Sequence, residues 1–153
     1  MKKTAYDECY DELVAIWRDE GGNTLDEIAL MATINSILSH RFETYFWCGF
    51  YRVCGTRLVV GPYIGTVGCL QIEFGRGVCG TSAAKRETII VPDVTQFPGH
   101  IACDANSNSE IVVPVFDKEG VLLAVLDVDS DQLNAFDDED RAGLERIVGL
   151  FAQ

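Results

Sequence analysis

With 24 acidic against 12 basic side chains, the 153-residue chain carries a net charge of −12, and its 48% hydrophobic and 24% charged residues are those of a folded globular protein. That length suits a single domain, residues 1–153, able to bury roughly two thirds of its unfolded surface, and no Lys/Arg cluster offers a nucleic acid its phosphate contacts. Met1-Lys2-Lys3 leads into Asp7, Glu8, Asp11 and Glu12 instead of an apolar run, so neither a signal peptide nor a membrane span is expected and a cytoplasmic protein is inferred.

Tyr10, Leu13, Val14 and Trp17 recur at helical spacing, and Gly21-Gly22 supplies the left-handed stop for a first helix. Thr24-Leu25-Asp26-Glu27 has capping-box form, and Leu25, Ile28, Ala29, Ala32 and Leu38 carry a second helix onward, so helices fill about residues 5–40. From Tyr45 the pattern becomes aromatic and β-branched. Six strands are predicted over 45–53, 58–63, 70–74, 88–91, 111–116 and 121–129, with turns at Cys54-Gly55 and Lys118-Glu119-Gly120. Connections this short make the sheet mainly antiparallel. A last helix, over about residues 137–152, starts at Asp137 with acids through Asp140 and carries Leu144, Ile147, Val148 and Phe151 on one face. The result is an α+β fold, with one long irregular stretch between Pro92 and Ser109 of the kind that commonly carries function.

Cys9, Cys48, Cys54, Cys69, Cys79 and Cys103 are many thiols for this length. Structural disulfides need an oxidising compartment, and the intervals between these residues are not metal-ligand spacings, so buried spectators and redox-active thiols remain. Cys103 sits in the polar loop beside His100, a setting that favours an accessible, reactive thiol. Gly75-Arg76-Gly77-Val78-Cys79-Gly80 matches G-x-G-x-x-G, but the helical run after it is too short for a parallel crossover; the glycines instead let the backbone turn tightly and bring Cys79 close to another segment. His40 is assigned a helix-end interaction.

Period-two alternation puts Asp127 and Asp129 on one face of an otherwise apolar strand, and a hairpin brings Glu110 of the preceding strand toward them. Three acids in one pocket attract an ammonium group. Burial and mutual repulsion then keep a proton on at least one of them.

The blocks Phe74-Gly75-Arg76-Gly77-Val78-Cys79-Gly80, Val91-Pro92-Asp93-Val94, Phe97-Pro98-Gly99-His100-Ile101-Ala102-Cys103-Asp104, Ser109-Glu110-Ile111-Val112-Val113-Pro114 and Leu126-Asp127-Val128-Asp129-Ser130 together resemble the free methionine-(R)-sulfoxide reductases, a GAF-domain family. The resemblance is strong from about Trp47 to Phe136 and looser in the leading helices. It implies a six-stranded GAF sheet flanked by N-terminal helices and a C-terminal helix, often dimeric, with no cofactor and no metal. It also implies that free methionine sulfoxide is reduced by thiol chemistry and that a thioredoxin-like reductant restores the thiols. The family's three cysteines correspond to Cys69, Cys79 and Cys103, leaving Cys9, Cys48 and Cys54 as bystanders; its pocket residues correspond to Trp47, Tyr51, Glu110, Asp127 and Asp129. Two positions depart from the usual pattern: Thr95, where a His is common, and Thr66-Val67-Gly68 ahead of Cys69.

Sulfoxide oxygen leaves only when protonated, so the chemistry asks for a thiolate and an acid that keeps its proton at neutral pH. Glu110 is the candidate acid, sharing the proton with Asp129; Cys103 is the candidate nucleophile, with Cys69 or Cys79 resolving its sulfenic acid and Cys79 an alternative first attacker. Asp127 is assigned to the substrate ammonium, with Trp47 and Tyr51 walling the side chain. The competing readings are a GAF module that senses a small molecule without turnover and a zinc-stabilised interaction domain.

Overall fold

The computed structural model describes residues 1–20, 26–101, 103 and 105–153. Helix α1, Lys2–Asp19, presents Tyr6, Cys9 and Leu13 to the interior. Helix α2, Glu27–Arg41, is capped by Asp26, whose carboxylate accepts from the amides of Ile28 and Ala29 and so satisfies two donors that the helix leaves open. The Gly21-Gly22 stop and the Thr24-Leu25 start read from the sequence lie outside the described residues. At the other end of α2, His40 Nδ1 meets the Ser36 carbonyl oxygen at 2.9 Å, the helix-end interaction expected of it.

All six expected strands are present, displaced by a residue or two at their ends: β1 Trp47–Cys54, β2 Arg57–Ile64, β3 Gln71–Glu73, β4 Ile89–Val91, β5 Ser109–Phe116 and β6 Leu122–Ser130. They form one sheet in the order β3-β2-β1-β6-β5-β4, and every pairing is antiparallel. Between β3 and β4 lies helix α3, Gly77–Lys85, the short run that follows the glycine motif. Helix α4, Asp138–Val148, opens with a capping box in which Asp137 and Asp140 satisfy each other's amides.

The strands separate two apolar layers. Cys48 and Phe50 of β1, Ile111, Val113 and Val115 of β5, and Ala124, Leu126 and Val128 of β6 face α1, α2 and α4. Intervening residues point the other way, and Tyr51, Val112 and Val125 join a second cluster with Cys79 and Val78 of α3. Asp140 locks the helical layer from both sides: Tyr6 Oη donates to it at 2.7 Å and Lys2 Nζ at 2.6 Å, pinning α1 to the cap of α4. No described helix is long and apolar enough to cross a membrane.

Candidate active site

On the sheet face away from α1, α2 and α4, β5 and β6 bring their acids together through register. Glu110 lies directly opposite Asp129, and Val112 opposite Asp127, so Asp127 sits diagonally across from Glu110 on the same face. Gly49 of β1 pairs with Asp127, and the glycine is needed there. A Cβ at position 49 would stand 2.3 Å from Tyr63 Cβ on β2 and 2.7 Å from Trp47 Cη2. Trp47 is held by its indole N–H, which donates to the Thr66 carbonyl at 2.8 Å, and it stacks on Tyr51 at a centroid separation of 5.8 Å. The unusual 66–68 segment thus serves as the clamp on the Trp47 ring.

Cys79 enters from the first turn of α3. Gly75 and Gly77 adopt φ of +83° and +61°, the left-handed region open to glycine, and the Gly75 amide donates to the Gly80 carbonyl at 2.8 Å, closing the turn that delivers this helix to the sheet. The motif therefore positions a thiol, as expected, in an antiparallel setting with no dinucleotide crossover. Cys79 Sγ lies 3.9 Å from Glu110 Oε1.

These side chains line one pocket, open to solvent on one side. Trp47, Tyr51, Cys79, Glu110, Asp127 and Asp129 all contribute to its wall, as does Cys103 from the long loop. Cys103 is bonded to Cys69 in a disulfide, with Cα atoms 5.4 Å apart. The candidate site residues Trp47, Tyr51, Cys79, Cys103, Glu110, Asp127 and Asp129 are thus gathered here, with Cys69 tied to them through its bond to Cys103. Cys9 and Cys48 are buried in the helix-side layer and Cys54 is exposed on the β1–β2 turn, all away from the pocket.

Electrostatics follow from burial. Glu110 and Asp127 are each 6% exposed, with carboxylate oxygens within 4.8 Å of one another, an arrangement that favours keeping a proton on the pair. Burial first, then the charges of Asp127 and Asp129, hold the Glu110 carboxyl well above the usual range. Burial raises Asp127 to about 6, against a smaller opposing effect of its hydrogen bonds. The Cys79 thiol is likewise pushed well up, by burial and then by the surrounding acids, despite its place at a helix N-terminus. Asp127 Oδ1 is buried without a hydrogen-bond partner. His100 Nε2 faces Glu110 Oε2 at 3.9 Å, and burial keeps its imidazole below its ordinary value.

Arg76 was not singled out by the sequence reading, yet it lines the pocket as the N-cap residue of α3, and its side chain makes no capping bond. The only signal for it was a lone cation within the glycine run. Beside it, Gly77, Val78 and Cys79 of the first turn of α3 line the same pocket as the acids.

An antiparallel sheet in this strand order, helices on one face and a small-molecule pocket on the other, defines a GAF domain, and the GAF-domain family model matches residues 16–153. Free methionine-R-sulfoxide reductase of Saccharomyces cerevisiae is 36% identical over 151 residues, covering 94% of this chain and 84% of that protein. The Escherichia coli protein of the same name is 44% identical over 121 residues, 79% of this chain and 73% of its own. The X-ray structure of free methionine-R-sulfoxide reductase from Neisseria meningitidis in complex with its substrate superposes with a TM-score of 0.91 at 38% identity, covering 99% of this chain and 88% of that one. The chain belongs to the free methionine-R-sulfoxide reductases of the GAF-domain family and is an oxidoreductase.

Proposed function

We propose that this protein reduces free L-methionine (R)-sulfoxide to L-methionine, with Cys103 as nucleophile and Cys69 as the resolving thiol. The observation that carries the reading is the convergence of a redox-capable cysteine pair and a proton-holding carboxyl pair on one pocket. A sensing domain that only binds its ligand needs neither.

The zwitterion sets the pose. Asp127, with one buried oxygen awaiting a donor, accepts the α-ammonium, while Arg76 and the N-terminal amides of α3 offer the carboxylate a positive partner. Trp47 and Tyr51 wall the methylene and methyl groups. A methionine sulfoxide inside a peptide has no ammonium to give Asp127, which is the basis of selection for the free amino acid. Preference for the R epimer is carried by the resemblance to the family.

In the reduced enzyme the Cys103 thiolate attacks the sulfoxide sulfur while Glu110 protonates the oxygen. A Cys103–sulfur bond forms as the S–O bond breaks with the oxygen leaving as hydroxide; hydroxide then adds to Cys103 Sγ, methionine departs with the electron pair of the S–S bond, and Cys103 is left as a sulfenic acid. The Cys69 thiol then condenses with it, expelling water and forming the Cys69–Cys103 disulfide. A thioredoxin-like dithiol reopens that bond by exchange and is itself oxidised. Cys79, deeply buried among acids and held as the thiol, donates toward Glu110 and is a poor first attacker.

The test is to mix the reduced protein with each epimer of free methionine sulfoxide and dithiothreitol and to quantify methionine. Turnover of the R form is expected, and its absence would overturn the proposal.

A further inference from the structure

We propose that Cys79, Glu110 and Asp127 form a binding site for a zinc-class divalent cation, and that a bound cation excludes the amino acid from the pocket. The metal site stands on geometry alone, whereas the exclusion rests on the reading of the pocket given above.

One ligand atom from each of the three residues lies within 4.8 Å of the other two, and all three side chains are buried. Around tetrahedral zinc, with Zn–S near 2.3 Å and Zn–O near 2.1 Å, neighbouring donor atoms stand about 3.4–3.6 Å apart. Cys79 Sγ and Glu110 Oε1 stand at 3.9 Å, and side-chain rotation must draw the set together from within 4.8 Å. The donor set of one sulfur and two carboxylate oxygens suits zinc and cobalt better than magnesium or calcium, which take oxygen ligands only.

A second observation points independently to a cation. Asp127 lines this pocket, is only 6% exposed, and its Oδ1 is buried with no hydrogen-bond partner. Whatever completes it must be positive or a donor.

None of these ligands is a disulfide cysteine. The site is present while Cys69 and Cys103 are bonded, so the disulfide form should take the metal as well as the reduced form does. On binding, Cys79 loses its proton and the carboxyl pair releases the one it shares, giving three anionic ligands to one dication. The ammonium of an amino acid and the metal then compete for the same Asp127 oxygen. Spacing in the sequence concealed the site, because its ligands come from α3, β5 and β6 and converge only through the fold.

The experiment uses the full chain as the Cys69–Cys103 disulfide form of a Cys54→Ser variant, which removes the exposed thiol, and titrates it with Co²⁺ alone. A thiolate-to-cobalt charge-transfer band that zinc abolishes and that is lost on adding Cys79→Ser is the expected result. No such band, or one that survives Cys79→Ser, overturns the metal site. Glu110→Gln and Asp127→Asn cover the case in which the Cys79 variant fails to fold: each should weaken cobalt binding at least ~10-fold, and unchanged affinity in both overturns the proposal. Adding free methionine sulfoxide should bleach the band. A band that forms but resists bleaching leaves the metal site standing and removes the shared-pocket reading, whereas turnover of the sulfoxide without any cobalt band does the reverse.

Discussion

Cys69 and Cys103, 34 residues apart in sequence, are bonded sulfur to sulfur beside the pocket that Cys79 enters from helix α3. Of two thiols that were equal candidates to resolve a sulfenic acid on Cys103, one is thus within bonding distance and the other lies against Glu110. Cys69→Ser should therefore retain a burst of methionine formation and lose steady-state turnover with a thioredoxin-type donor. Rapid-quench kinetics check this, and steady turnover equal to the parent would reassign the resolving role.

Glu110 carries the proton that the sulfoxide oxygen needs. Replacing it with Gln should slow the single-turnover step by ~10²–10⁴-fold, the usual size of general acid catalysis, with little change in substrate affinity. Because the Glu110 carboxyl titrates well above the usual range, the step in the parent enzyme should slow as pH rises through that value. In Glu110→Gln this limb should be missing from the profile.

Asp127 is expected to lower stability at neutral pH in exchange for binding. Its folded-state value of about 6 stands above the ordinary 3.8, so the folded protein holds this proton more tightly than the unfolded chain does. Its contribution favours folding below the unfolded value and is lost as pH rises through about 6. Asp127→Asn should raise stability at pH 7 by up to about 3 kcal/mol and leave it nearly unchanged near pH 4, read by denaturant melts at both.

Selection for the free amino acid places the same residue under a second test. Acetylating the amine of methionine sulfoxide leaves Asp127 unpaired, a loss of about 2–5 kcal/mol, so kcat/KM should fall by at least ~30-fold. Asp127→Asn should narrow the gap between the free and acetylated substrates; an undiminished gap would place the ammonium elsewhere.

The fold was legible because its periodicities are clean. Alternation in β5 and β6 sorts Ile111, Val113, Leu126 and Val128 to one side and Glu110, Asp127 and Asp129 to the other, and this alone brings the acids together. What pattern could not supply was pairing between distant segments. Directly opposite Glu110 stands Asp129, the partner expected from the sequence, yet the stronger electrostatic influence comes from Asp127, which reaches Glu110 diagonally. Gly49 depends likewise on a neighbour across the sheet, since a Cβ there would stand 2.3 Å from Tyr63 Cβ of the paired strand β2. Arg76 escaped notice because a single cation beside glycines has no periodicity to mark it.

That oxygen leaves the sulfoxide by way of Cys103 is tested most directly by trapping. Cys69→Ser enzyme, treated with free methionine (R)-sulfoxide in the presence of a sulfenic-acid-specific 1,3-dicarbonyl and digested for mass spectrometry, should carry the adduct on Cys103 in step with methionine release. Methionine released with no adduct on Cys103, or with the adduct on Cys79, would contradict the account.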